Sequence, residues 1–165
     1  MISKPKVLVV DDKSQHLFAV ARLLEKLDVE VVQASSGSEA LSLTLEHEFC
    51  VAVVDVQMPE MSGYELVGLW RSNSSTTSLP VIFISGLSAH EYRHRQTFDT
   101  GGAIDFLSKP FIPEILLAKV GIFVEFYRQQ SRIRELVAEL DAARKELAQV
   151  KHELEKARSS SSKDS

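Results

Sequence analysis

The sequence predicts an α/β fold, a doubly wound five-stranded parallel sheet of flavodoxin type with strand order 2-1-3-4-5 and an extended C-terminal coiled-coil helix. Three observations predict it. Short, mostly β-branched apolar runs alternate with segments of helical periodicity five times over. Such alternation means parallel strands joined by helical crossovers, and right-handed crossovers put helices on both sheet faces. Two of the runs, Val7-Leu8-Val9-Val10 and Val51-Ala52-Val53-Val54, end in acids, Asp11-Asp12 and Asp55. Open α/β sheets bind ligands at the carboxyl ends of such strands. Past Tyr127, apolar residues recur every seven positions without a proline or glycine.

The elements follow in order. Lys6–Val10 reads as the first strand. From Ser14, a plausible N-cap, to about residue 27 the apolar residues Leu17, Val20, Ala21, Leu24 and Leu27 keep helical spacing. Residues 29–33 form the second strand, and Ser36-Gly37-Ser38-Glu39 opens the second helix. Val51–Asp55 is the third strand, closed by a loop holding Met58-Pro59 and Gly63. The third helix runs from Tyr64 to about Arg71, where Trp70 reads as a packing residue. After a polar Ser/Thr loop, residues 80–85 form the fourth strand, with Pro80 at its first position as strands allow. A fourth helix spans Ser88 to about residue 97, and Gly101-Gly102 turns into a fifth strand over residues 103–107. Tyr92-Arg93-His94-Arg95 on that helix reads first as a solvated face and second as a contact for an acidic partner. Pro113 sits in the first turn of a last helix, where proline is tolerated.

Composition bounds the classes of function. The 165 residues suffice for one well-buried domain plus an appendage, divided here as 1–125, a coiled-coil helix over 126–158 and a disordered Ser-rich tail over 159–165. The net charge of −4 argues against a general nucleic-acid or membrane binder. No apolar stretch approaches the roughly 20 residues that span a bilayer. The start is too short to be a signal peptide, and the single cysteine, Cys50, has no second cysteine to form a disulfide with in this sequence. A reducing, cytoplasmic setting is expected.

Four features converge at the carboxyl edge of the predicted sheet: Asp11-Asp12, Asp55, Ser85-Gly86 and Lys109-Pro110. Together they fit phosphoryl transfer to Asp55. Clustered carboxylates repel and take up protons unless a cation binds. Mg²⁺ prefers a few carboxylates with waters and phosphate oxygens, so Asp12 and Asp55 coordinate directly and Asp11 through water. Lys109 pairs with a phosphoryl oxygen, Ser85 donates to another, and Gly86 leaves room. His16 lies near Asp12, but hard oxygen ligands suit Mg²⁺ better and no zinc spacing surrounds it.

The motif set Val10-Asp11-Asp12, Asp55 with Met58-Pro59 and Gly63, Ser85-Gly86, and Gly102-Ala103 through Asp105-Phe106-Leu107-Ser108-Lys109-Pro110-Phe111 resembles the receiver domain of bacterial two-component response regulators. The resemblance covers about residues 4–125. It implies that Asp55 is the phosphoacceptor, loaded by a sensor histidine kinase or a small phosphodonor. It implies that the Gln57 backbone carbonyl completes the Mg²⁺ site with Asp11, Asp12 and Asp55. It also implies a cis peptide bond before Pro110, and a switch in which Ser85 moves toward the phosphoryl group and Phe106 turns inward. Phe106 departs from the tyrosine common there, and Ser85-Gly86 from the common Thr-Ala. No enzymatic activity is implied beyond self-catalysed phosphorylation and dephosphorylation.

In the heptad, Phe126, Ile133, Leu140, Leu147 and Leu154 occupy a positions, and Gln129, Leu136, Ala143, Val150 and Ala157 occupy d positions. Parallel pairing sets each g residue against e of the partner's next heptad. That gives Glu139–Arg144, Glu146–Lys151 and Glu153–Arg158, all of opposite sign. A parallel homodimer is expected, with Ile133, Leu136, Leu140, Leu147, Val150 and Leu154 as its seam and Gly121 as a possible joint. The output is then a downstream effector captured by the switch face or the coil. The alternative is an N-terminal regulatory piece of a larger protein with a histidine kinase, diguanylate cyclase or phosphatase as output. A phosphatase of the haloacid dehalogenase type is disfavoured because Asp-x-Asp is missing after the first strand.

Overall fold

The computed structural model describes residues 3–86 and 104–164. Five parallel strands form one sheet in the order β2-β1-β3-β4-β5, as the alternation of runs predicts. They are β1 Lys6–Val10, β2 Glu30–Ala34, β3 Val51–Asp55, β4 Val81–Ser85 and β5 Ile104–Ser108. The described helices are α1 Ser14–Leu24, α2 Gly37–Glu46, α3 Gly63–Ser72 and α4 Pro113–Lys163. The expected helix over residues 88–97, with its Tyr92-Arg93-His94-Arg95 face and the Gly101-Gly102 turn, lies outside the described residues.

Strand side chains alternate between faces, and the core divides accordingly. Val7, Val9, Val51, Val53, Ile82 and Ile84 face one way, against Leu17, Val20 and Leu24 of α1 and Leu116, Val120 and Val124 of α4. Leu8, Val10, Ala52, Val54, Val81 and Phe83 face the other, with Ala40 of α2 and Leu66, Val67 and Trp70 of α3. Burying each such side chain is worth about 1.5–3 kcal/mol. The central strand β3 is buried along its whole length. Apolar residues therefore fill both of its faces, and only its carboxyl end is free for a polar group. Trp70 packs as expected, its Nε1–H donating to Thr44 Oγ1 at 3.2 Å.

Helix starts explain most of the boundaries. Ser36 caps α2 by accepting from the Glu39 amide. Ser62 and Glu65 form a reciprocal capping box at the start of α3, which fixes that helix one residue before Tyr64. At α1 the expected cap is corrected. Lys13 holds the N-cap position without a side-chain bond, and Ser14 is the first helical residue. The reason is Asp11, whose Oδ1 accepts from the Lys13 amide at 2.9 Å and supplies the turn itself. α1 also ends earlier than predicted, passing into a 3-10 turn over Glu25–Leu27 that Asp28 closes in the left-handed region at φ 52°.

The chain divides into two compact units, Met1–Tyr127 and Arg128–Ser165. Helix α4 is continuous through the division and reaches Lys163, past the end expected near Arg158. The expectation of a disordered tail from residue 159 is corrected over that stretch. No proline or glycine interrupts it. The serine hydroxyls bond back along the helix, Ser160 to the Lys156 carbonyl at 3.0 Å and Ser162 to the Ser159 carbonyl at 3.1 Å. No helix of the described residues is long and apolar enough to cross a membrane.

Candidate functional site

Because β1 and β3 are neighbours in parallel register, Val10 against Val54, the acids that follow them emerge side by side. Ligand atoms of Asp11, Asp12 and Asp55 all lie within 4.8 Å of one another. Asp11 and Asp55 are each only 6% exposed. Lys109, which follows β5, reaches the same place. Its Nζ is 3.7 Å from Asp55 Oδ1 and 3.8 Å from Asp11 Oδ2, within ion-pair range but longer than a direct hydrogen bond. The predicted acids and the predicted lysine are thus one cluster.

Burial pushes the Asp55 carboxyl above the usual carboxylate range, and the charges of Asp11 and Asp12 push the same way. Lys109 and the Gln57 amide, which donates to Asp55 Oδ1 at 3.3 Å, oppose them. An apolar-walled cavity of about 310 Å³ adjoins Asp55, lined by residues such as Val9, Val20, Val53, Ile84 and Phe111.

The cluster fits a divalent cation of the hard type. Its donors are carboxylate oxygens, and Asp12 Oδ1 is buried with no hydrogen-bond partner among the described residues. An orphaned carboxylate oxygen costs stability unless something positive meets it. Three acids against one lysine leave the pocket short of positive charge. Mg²⁺ takes oxygen ligands of this kind.

The remaining predicted residues surround the cluster. Ser85, fully buried, ends β4 beside Ser108, and its carbonyl accepts from the Lys109 amide at 2.7 Å. That bond ties the lysine's backbone to the neighbouring strand end. The Lys109–Pro110 peptide bond is cis. Phe106 is half-buried against the α2/α3 face of the core. A Cβ added at Gly86 meets nothing within 4 Å among the described residues. Gly63 is different. Its amide donates to the Val56 carbonyl at 3.0 Å, and a Cβ there would lie 2.5 Å from the Asp55 carbonyl oxygen. Only glycine lets α3 start this close to the end of β3.

His16 is a site residue that sequence reasoning did not assign. Its Nδ1 lies 3.0 Å from Asp11 Oδ2 and 3.4 Å from Lys109 Nζ. A carboxylate only accepts, so Nδ1 carries its hydrogen toward Asp11. His16 therefore orients Asp11 as an imidazole donor beside the cluster. The signal available was its place in the first turn of α1, directly after the acidic pair.

The family described as "Response regulator receiver domain" matches residues 7–121. The chain is 35% identical over 120 residues to the sensor protein GacS of Pseudomonas syringae pv. syringae, covering 70% of this chain and 13% of that protein. It is 36% identical over 120 residues to the probable transcriptional regulator ycf27 of Cyanophora paradoxa, covering 72% and 48%. This chain thus spans less than half the length of these curated relatives. Among solved structures, the Vibrio cholerae chemotaxis protein CheY4 superposes with a TM-score of 0.64 at 32% identity, over 72% of this chain and 97% of that one. The Francisella response regulator 1452 receiver domain gives 0.66 at 29% identity, over 74% and 98%. With its sheet order, its acidic strand ends and this match over most of its length, the chain belongs to the receiver domain family of two-component response regulators.

Proposed function

We propose that this receiver accepts a phosphoryl group on Asp55 from a sensor histidine kinase or a small phosphodonor, and that a parallel homodimer through α4 reads the change. The convergence of Asp11, Asp12, Asp55 and Lys109 at one sheet edge carries this reading. Asp12, Asp55 and the Gln57 backbone carbonyl would hold Mg²⁺ directly, with Asp11 acting through water. When bound, the ion neutralises the carboxylates and the oxygens of the phosphoryl group in transfer.

An Asp55 oxygen attacks phosphorus, and the bond from phosphorus to the donor breaks, its electron pair leaving with the donor. Burial favours a proton on Asp55, which would silence the nucleophile. Lys109 opposes that proton before transfer and pairs with a phosphoryl oxygen afterwards. The Ser85 hydroxyl donates to a second oxygen, Gly86 borders the space, and Phe106 repacks behind Ser85. No enzymatic activity beyond self-catalysed phosphorylation and dephosphorylation is assigned, and the protein works in the cytoplasm.

The seam would comprise Ile133, Leu136, Leu140, Leu147, Val150 and Leu154, each about half exposed in the single chain. Such a stripe on a single helix is unfavourable in water without a partner. The g–e pairs of opposite sign select a parallel second copy. Incubation with Mg²⁺ and acetyl phosphate tests the acceptor. Phosphoryl incorporation is expected in the wild type and absent in Asp55→Asn; equal labelling of both would remove Asp55 from the reaction.

A further inference from the structure

We propose that the cavity beside Asp55 is a binding site for a small uncharged amphiphile, an apolar ring or short chain ending in a hydroxyl, and that its occupancy slows phosphoryl transfer. The effect on transfer rests on the reading of Asp55 given above; the binding does not. Val9, Val53 and Ile84, on the neighbouring strands β1, β3 and β4, line the cavity from the sheet. Val20 of α1 and Phe111, just ahead of α4, line it as well. Two further lining residues, Ala19 and Pro110, are exposed, so the cavity reaches solvent between α1 and the segment after β5. An apolar cavity of about 150 Å³ holds a benzene ring. At about 310 Å³ this one has room for a ring with a short arm. Water gains little among such walls, and an apolar body that displaces it gains affinity.

The head group follows from the polar end, which carries both signs. Asp11, Asp55, His16 and Lys109 all line it. A carboxylate there meets two acids, and an ammonium meets Lys109. A hydroxyl both donates and accepts, and so suits either neighbour. Lys109 Nζ stands 3.7 Å from Asp55 Oδ1 and 3.8 Å from Asp11 Oδ2, too far for a hydrogen bond to either. His16 does not take up that ammonium, because its Nδ1, 3.4 Å from Nζ, already turns its hydrogen to Asp11. An oxygen about 2.8 Å from both Nζ and Asp55 would accept from the one and donate to the other. Asp12, whose orphaned oxygen suits the cation, is not among the lining residues. Cation and amphiphile therefore use different sides of the acidic cluster. A hydroxyl that holds the Lys109 ammonium withholds it from the phosphoryl oxygen it would otherwise meet.

Calorimetric titration of the full chain in Mg²⁺ with benzyl alcohol, benzoate and benzylammonium tests the class. Benzyl alcohol should bind saturably and about tenfold or more tighter than either charged analogue, since each of those buries a charge beside a like one. Ala19→Trp, at the exposed rim, and Val20→Phe, which fills the interior, should each weaken binding by about tenfold or more. Ala19→Trp leaves the core residues in place, so it serves alone should Val20→Phe melt early. At saturating benzyl alcohol, labelling of the wild type by acetyl phosphate should slow by about tenfold. Absence of saturable binding, equal binding by the wild type and Ala19→Trp, or a charged analogue that binds as tightly overturns the site. Binding that leaves the labelling rate unchanged overturns its effect on transfer. Saturable, Ala19-dependent binding to a chain that acetyl phosphate does not label supports the site and overturns the phosphoacceptor reading instead.

Discussion

At the scale of single residues, the site depends on how closely backbone can approach the acceptor. Gly63 and Gly37 make the contrast. A Cβ at Gly63 meets backbone, the Asp55 carbonyl at 2.5 Å and Val56 Cα at 3.0 Å. A Cβ at Gly37 meets the Met61 side chain, with Sδ at 2.6 Å. Backbone on both sides cannot yield, whereas a thioether turns away at little cost. Gly63→Ala is expected to destabilise by about 2–3 kcal/mol and Gly37→Ala by less than about 1 kcal/mol, read from urea unfolding. Equal costs would mean that α3 is not pinned to the end of β3. Asp55 gives a pH prediction. Its carboxyl is raised above 3.8 by burial first and by its acidic neighbours next. An acid raised in the folded state adds no penalty below its unfolded value and a growing one as pH climbs through the window up to the folded value. Without divalent cations, Asp55→Asn should melt higher than the wild type at neutral pH. The gap should close as pH falls toward 3.8. Added Mg²⁺ should close it from the other side by stabilising the wild type alone. A gap constant from pH 3 to 7 would contradict the assignment of burial as its cause.

At the scale of elements, strands were more legible than the turns between them. β1 and β3 fall where their β-branched runs place them, because Val7–Val10 and Val51–Val54 are buried on both faces and must be apolar. β2 sits one residue later than expected and β5 ends one residue later, since edge strands mix polar and apolar residues and blur their ends. The acids at the site were legible for the same reason as the strands they end. The His16–Asp11 bond was not, because it depends on the turn in which Asp11 holds the Lys13 amide. Nor was the Lys119–Asp105 pair, which joins α4 to β5 through tertiary placement alone. The Ser62–Glu65 capping box stood in the sequence at its proper spacing and went unused. Its loss should cost about 1 kcal/mol in Ser62→Ala, measurable as a drop in the melting temperature of roughly 4 °C. The heptad is the element whose consequence is largest. Leu140→Lys with Leu147→Lys puts ammonium groups on facing seam positions, where partners would desolvate them. Light scattering should then give a monomer at concentrations where the wild type is dimeric, with Mg²⁺ affinity unchanged. Loss of Mg²⁺ binding in the same variant would place those leucines in the receiver's core instead.

At the scale of the whole molecule, two kinds of stability coexist in one chain, and mass action separates them. Residues of the Met1–Tyr127 unit pack into two cores around a sheet, and that unit carries the acidic cluster. A ligand that binds only the folded form stabilises it by about 2.7 kcal/mol at a hundred times its dissociation constant. Mg²⁺ should therefore raise the receiver's melting temperature, and Asp12→Ala, which removes the unpartnered oxygen, should abolish most of the rise. The Arg128–Ser165 unit is one helix with no core of its own, its apolar residues about half exposed. Helices alone in water draw little stability from propensity and depend on packing of an apolar face. With the second copy proposed above as its partner, its melting should shift with protein concentration. Circular dichroism at 222 nm is then expected to resolve a helical loss that moves upward with protein concentration in both wild type and Asp12→Ala, and a second loss that moves upward with Mg²⁺ in the wild type alone. A helical transition independent of concentration across a hundredfold range would mean that the long helix is stable unpaired, and the dimer would lose its physical basis.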